Sequence, residues 1–358
     1  MRLGCIFRWK RTLLAAFNIA ANATRYEPVV SPPVFARVTA LSDFSKRRCY
    51  SHSPSSKMPL KFAANISTMF TQTPLLTRYR VAQSHGFKAV ECQFPYDVGI
   101  DNIRSEKETC GMEQVLINSY PGDLPKGELG FAAKPGLESE FLSSLETSIK
   151  YAKALDCKKI HIMAGITGTE RSSVMEETYL ANLTKAAGLL EKEGIVGVIE
   201  PLCKQVKPGY FLNSYEQAAR YVTQLNHKNL RLLLDVFHLQ MSSGDLTNTI
   251  ASVYPLVGHI QVSQAPRRDE LNAPGEINYK YILHLLEELS YDDWIGLEYT
   301  PSGEKLVFLL DLCDEKLLSM ECCMSSVPTR TYLVKGQVFC DEVFLQKCLW
   351  RHCLFNLK

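Results

Sequence analysis

Between residues 58 and 304 the chain alternates short apolar runs with longer stretches of helical periodicity, eight times over. The apolar runs read as strands over 60–67, 89–94, 114–118, 159–164, 196–202, 230–238, 258–263 and 295–299. Between them, the stretch 137–155 puts Phe141, Leu145, Ile149 and Leu155 on one helical face, and 174–193, 214–225 and 279–289 are helical too. Ser214, with Gln217 three residues on, is a capping-box start. Strand–helix alternation repeated eight times over about 245 residues predicts an α/β (β/α)8 barrel, a TIM barrel, rather than an open doubly wound sheet. An open nucleotide-binding sheet wants a glycine-rich turn after its first strand, where this chain reads Ser67-Thr68-Met69-Phe70. A Walker A loop and a Gly-x-Ser-x-Gly elbow are also absent.

The 358 residues, 46% hydrophobic and 22% charged, suit a soluble globular protein with one large core. The net charge of +2 is unevenly spread. Residues 1–57 hold ten Lys/Arg against Glu27 and Asp43, which leaves residues 58–358 at −6. An acidic body is no match for a nucleic-acid backbone, so a nucleic-acid partner is not expected. No apolar run approaches the roughly eighteen residues that span a bilayer, so no membrane partner is expected either. Twelve cysteines occur without C-x-x-C spacing, six of them after residue 310, which reads as reduced intracellular thiols.

Neither end reads as part of the barrel. Residues 1–57 are basic, acid-poor and Ser/Pro-rich, with Arg47-Arg48-Cys49-Tyr50-Ser51 similar to a mitochondrial processing site. A mitochondrial location follows if this is a transit peptide, and a cytoplasmic one if translation starts at Met58. Residues 305–358 form a divergent tail, with a helix over 305–320 and then cysteine-rich, unpatterned sequence.

In a barrel of this kind, polar residues at the C-terminal strand ends converge on one face. Four strands here end in residues costly to bury unpaired: Glu200, Asp235, Gln261 and Glu298. Their separations of 35, 26 and 37 residues are each about one βα unit. Any single acid at a strand end is more often a helix N-cap or loop ion pair, about three times in four. Placement on four consecutive strands is what carries the inference. Three carboxylates and an amide oxygen facing one another call for a divalent cation, and hard oxygen ligands favour Mg2+ or Mn2+.

The segments Tyr120-Pro121-Gly122-Asp123, Ile160-His161-Ile162-Met163-Ala164-Gly165, Asp235-Val236-Phe237-His238, Gly258-His259-Ile260-Gln261-Val262 and Pro274-Gly275-Glu276-Ile277-Asn278-Tyr279 resemble hydroxypyruvate isomerases. The resemblance spans residues 58–304 and extends to the wider xylose-isomerase-like barrels. It implies one divalent metal and two glutamates that move a proton between adjacent carbons of a small substrate, hydroxypyruvate. By position those glutamates match Glu200 and Glu298, with Asp235 and Gln261 completing the metal shell. The resemblance further implies substrate contacts from His238 and Arg267, although Arg268 leaves that choice open. Glu91, Asn118 and His161, near the ends of strands 2, 3 and 4, are pocket-lining candidates. A homo-oligomer is common among such barrels.

One alternative is a ketose 3-epimerase of the same superfamily, where relatives usually carry His in place of Gln261. Another is a catalytically impaired splice variant, if the divergent tail disturbs closure of the barrel near Glu298.

Overall fold

The apolar runs become eight parallel strands: β1 (Lys61–Asn65), β2 (Ala89–Cys92), β3 (Glu113–Asn118), β4 (Lys159–His161), β5 (Val196–Ile199), β6 (Leu230–Asp235), β7 (Val257–Val262) and β8 (Trp294–Leu297). In this computed structural model the described residues are 59–301, together with two short antiparallel strands, β9 (Tyr332–Val334) and β10 (Gln337–Phe339). The expectations for residues 1–57, for a helix over 305–320 and for the remaining tail lie outside the described residues.

Each strand pairs with its sequence neighbour, and β8 returns to β1 through Lys61–Trp294, Phe62–Ile295, Ala63–Gly296 and Ala64–Leu297. The sheet therefore closes with no free edge, as a (β/α)8 barrel does. Among the described residues, β8, which ends one residue before Glu298, is paired with β1 along its whole length.

The helices are α1 (Leu75–Ser84), α2 (Ile100–Thr109), α3 (Glu138–Ala154), α4 (Ser173–Lys192), α5 (Tyr215–Leu225), α6 (Val236–Ser242), α7 (Leu246–Val253) and α8 (Tyr279–Glu288). At α5 only half of the capping box forms. Ser214 accepts from the Gln217 backbone N–H at 3.3 Å, but the Gln217 amide donates to the Tyr221 hydroxyl.

One boundary departs from the expected strand. The run 230–238 stops being a strand at Asp235, because the Asp235 carboxylate accepts from the Phe237 N–H at 2.8 Å and caps a helix. Val236, Phe237 and Leu239 are buried in helical geometry, and their apolarity alone could not separate the two forms.

Most apolar side chains pack between barrel and helices, but Ala63, Ala89, Val198 and Leu233 belong to a separate small cluster drawn from the strands. Each stands two residues before a polar one: Asn65, Glu91, Glu200 and Asp235. A strand's period of two puts those pairs on the same side, so an apolar floor underlies a polar upper barrel.

Candidate active site

The polar upper layer opens into a cavity of about 150 Å3 at the C-terminal ends of the strands. Glu200, His238, Gln261, Arg268, Glu298, His161, Asn118 and Gln93 line it with Lys207, beside the apolar Phe94, Leu124, Leu129, Met163, Leu202 and Val206. Tyrosines hold the strand ends in place. The Tyr215 hydroxyl donates to the Asp235 carbonyl at 2.8 Å and accepts from its N–H at 2.9 Å. Tyr279 grips Ser263, just past β7, in the same way.

Asp235 does two things at once. One carboxylate oxygen caps α6, and Oδ2 accepts from Arg268 Nη2 at 3.0 Å. The helix-cap role and the site role are therefore met by different oxygens. Glu298, one residue past β8, has both oxygens engaged: Oε1 accepts from Gln93 Nε2 at 2.5 Å, and Oε2 from Arg268 Nη2 at 2.7 Å. Arg268 also lies over the Phe237 ring, 4.7 Å from its centroid.

The structure thus brings Arg268 to the site and not Arg267. The Arg267 side chain is 63% exposed and pairs with Asp269 at 2.7 Å. Arg268 has a left-handed backbone, φ +59°, a conformation that costs a non-glycine residue about 1–3 kcal/mol. It is held there because its N–H donates to the Gln264 carbonyl at 2.7 Å and its carbonyl accepts from Thr300 at 2.8 Å.

Glu200 is 5% exposed, and its Oε1 has no hydrogen-bond partner; Oε2 lies 3.3 Å from His161 Nδ1. The Cys203 backbone N–H donates to His238 Nδ1 at 3.1 Å, and Arg268 Nη1 lies 3.4 Å from the other ring nitrogen, Nε2. That nitrogen is 3.8 Å from Glu200 Oε1 and from Asp235 Oδ2. Potential ligand atoms of Glu200, Asp235 and His238 lie within 4.8 Å of one another. A ligating histidine normally donates its other N–H to an acceptor, so a histidine whose Nδ1 faces a backbone donor and whose Nε2 faces Arg268 is poorly set for ligation.

Gln261 provides the oxygen that His238 does not. Its Nε2 donates to Glu91 Oε1 at 2.7 Å, and its Oε1 is buried without a partner. Glu91 itself does not line the cavity. Its carboxylate lies lower in the barrel, accepting from Asn65 Nδ2 at 2.9 Å and contacting His259 Nε2 at 2.8 Å. The pocket-lining expectation is therefore met by Asn118 and His161 but not by Glu91.

Buried acids crowded together resist ionisation. Burial pushes the Glu200 carboxyl well up, and the charges of Glu298 and Asp235 push it further. Burial likewise raises Glu298 to about 7, against the opposing pull of Arg268, and raises Asp235. Burial lowers His161 to about 3 and takes His238 well below its ordinary range, keeping both rings neutral. Three reluctant carboxylates, with orphaned oxygens on Glu200 and Gln261, fit a divalent cation, whose charge favours the ionised acids and whose ligand sphere takes the unpaired oxygens.

Gln93 and Lys207 are lining residues that the sequence reading does not single out. Gln93 shares its strand parity with Glu91, which was the available signal. Lys207 sits on the loop between β5 and α5, whose path the sequence does not reveal.

A model of the family described as xylose isomerase-like TIM barrel matches residues 79–314. The chain is similar to a "Putative hydroxypyruvate isomerase" of Danio rerio, 46% identical over 252 residues, 68% of this chain and 91% of that one. It is also similar to the "Hydroxypyruvate isomerase" of Escherichia coli, 37% identical over 68% of this chain and 94% of the other. A "2-oxo-tetronate isomerase" of Cupriavidus necator is 36% identical over 67% of this chain and 93% of its own length. Among solved structures, a protein titled "AP endonuclease, family 2" from Brucella melitensis aligns with TM-score 0.66 and 41% identity, covering 69% of this chain and 95% of that one.

Proposed function

The chain belongs to the hydroxypyruvate isomerases of the xylose isomerase-like TIM barrel family, and from that premise we propose that this isomerase interconverts hydroxypyruvate and 2-hydroxy-3-oxopropanoate. The observation that carries the reading is the pair of buried glutamates, Glu200 and Glu298, sharing one cavity with the amide oxygen of Gln261. Two carboxyls whose pKa is raised, chiefly by burial, are suited to taking and returning a proton.

Hydroxypyruvate carries a hydroxymethyl group at C3, a carbonyl at C2 and a carboxylate at C1. Glu200, buried in the cavity wall, removes a C3 proton. The C–H electron pair becomes the C2–C3 double bond, and charge develops on O2. Glu298 returns a proton to C2 while the O3 hydroxyl proton passes to O2, so the carbonyl has moved to C3 and C2 carries the hydroxyl. His238 lines the same cavity, with Nε2 3.8 Å from Glu200 Oε1, and is a candidate for substrate contact. A divalent cation held by Glu200, Asp235, Gln261 and Glu298, Mg2+ or Mn2+ on the hardness of the donors, would supply Lewis-acid stabilisation of that charge.

A substrate carboxylate needs a cation that is not already committed. Arg268 is shared between Asp235 and Glu298, whereas Lys207 lines the same cavity and has no carboxylate partner among the described residues. This favours a 2-oxo acid over a neutral ketose, and gives Lys207 the role of carboxylate anchor. The same arrangement suits a four-carbon 2-oxo acid, such as the one in the name of the Cupriavidus relative.

A substrate panel tests the reading. With Mg2+ or Mn2+ added, kcat/KM should be higher for hydroxypyruvate or 2-oxo-tetronate than for short ketoses. Faster epimerisation of a neutral ketose would overturn it.

A further inference from the structure

A glutamine amide can present either its oxygen or its NH2 group to a cation, and nothing in the side chain itself selects the oxygen. At Gln261 the choice is made from below. A carboxylate is acceptor-only when ionised, so Glu91 Oε1, 2.7 Å from Gln261 Nε2, can only take the NH2 end. The amide oxygen is left buried and unpaired on the cavity side.

The orientation of Glu91 is set in turn by donors. Asn65 Nδ2 donates to Oε1, and Asn65 cannot reverse freely because its own oxygen accepts from the Ser67 N–H at 3.0 Å. On the other side, Lys159 Nζ lies 3.4 Å from His259 Nδ1. Lysine has only protons to offer, so Nδ1 accepts and the ring proton sits on Nε2, which donates to Glu91 Oε2 at 2.8 Å. Lys159 is anchored outside by Asp293. Each link from Lys159 through His259 and Glu91 to Gln261 therefore has one allowed direction.

The barrel makes room for this arrangement. Gly296 stands beside Gln261 in the β7–β8 register, and a Cβ there would lie 2.3 Å from Glu91 Oε2. A carboxylate buried at this depth has to be well satisfied, and Glu91 has three partners.

We propose that Glu91 is a positioning residue that fixes the Gln261 amide with its oxygen toward the cation site. The proposal rests on the reading of Gln261 as a cation ligand. It makes a specific claim about Glu91→Gln. The new amide has one oxygen for three donors, Asn65, Gln261 and the His259 N–H, so the acceptor that fixes Gln261 is no longer assured. With the oxygen given to His259, the new NH2 group faces Gln261. Gln261 then turns, and its own NH2 faces the cation. Adding Gln261→Glu to that variant restores an oxygen on both sides and preserves the number of charges.

The experiment is a calorimetric Mn2+ titration of the metal-stripped full chain without substrate, for wild type, Gln261→Ala, Glu91→Gln and the Glu91→Gln/Gln261→Glu exchange. Glu91→Gln should weaken Mn2+ binding by roughly 10–100-fold, the usual effect of losing an outer partner of a ligand, and the double exchange should recover most of it. A role in packing alone would give no recovery. Loss of binding in Gln261→Ala with wild-type binding in Glu91→Gln would overturn the proposal and leave the ligand reading standing. Equal binding by wild type and Gln261→Ala would remove the ligand reading and the proposal with it. If Glu91→Gln does not fold, the double exchange decides, since binding no tighter than in Gln261→Ala overturns the proposal.

Discussion

Glu298 connects the chemistry of the site to the stability of the metal-free protein. Its carboxyl is raised from 4.5 to about 7, chiefly by burial, so between those values the folded chain holds a proton that the unfolded chain has released. Stability is then lost as pH rises through this window. Below pH 4.5 both states are protonated and there is no penalty; above pH 7 both are ionised and the penalty is complete. A difference of about 2.5 pH units corresponds to about 3 kcal/mol, which for a domain of this size is roughly 6–12 °C in Tm. Glu298→Gln cannot ionise, so it should melt close to wild type at pH 5 and well above it at pH 8.5. The buried histidines oppose this trend in wild type, because their lowered pKa makes the fold gain stability as pH rises toward their unfolded value. They are shared by both proteins and drop out of the difference. Saturating Mn2+ should flatten the wild-type decline, since a cation among the acids favours their charged forms. The assay is thermal melting of metal-stripped protein across pH 5–8.5. Parallel profiles for wild type and Glu298→Gln would refute the reasoning.

Other substitutions separate the remaining roles. Glu200→Gln should lower kcat for hydroxypyruvate by roughly 10²–10⁴-fold with an unchanged circular dichroism spectrum, and retained turnover would remove Glu200 from the proton transfer. Arg267→Ala should leave Tm and kcat/KM nearly unchanged, because an exposed pair such as Arg267–Asp269 contributes at most about 1 kcal/mol. Arg268→Met leaves buried acids without their partner and should destabilise the metal-free fold by about 3–5 kcal/mol in denaturant melts; equal effects of the two arginines would contradict the loop geometry. Lys207→Met should raise KM for hydroxypyruvate roughly tenfold or more with a smaller change in kcat, as loss of a charge-assisted hydrogen bond does, while a neutral ketose is unaffected.

The barrel was legible because eight apolar runs at one-βα-unit spacing have few other ways to be buried, and Glu200, Asp235, Gln261 and Glu298 follow from their places at or just past strand ends. Local competition was harder to see. At Asp235 an apolar continuation looks the same as strand or helix, and a side-chain cap decides. The choice between Arg267 and Arg268 depends on a loop in which Gln264 bridges to Asp269 and one arginine takes a left-handed backbone. Parity along β2 put Glu91 inside the barrel, but parity carries no depth. Its place below the cavity depends on His259, Asn65 and the space at Gly296, three residues from other strands.

The central claim, proton transfer between adjacent carbons of a 2-oxo acid by Glu200 and Glu298, is tested most directly by solvent isotope incorporation. Hydroxypyruvate incubated with the chain and Mn2+ in deuterated water should give 2-hydroxy-3-oxopropanoate with deuterium at C2, as followed by proton NMR. The reaction should be lost in both Glu200→Gln and Glu298→Gln. Product formed with no solvent deuterium, or at the wild-type rate in either variant, would contradict it.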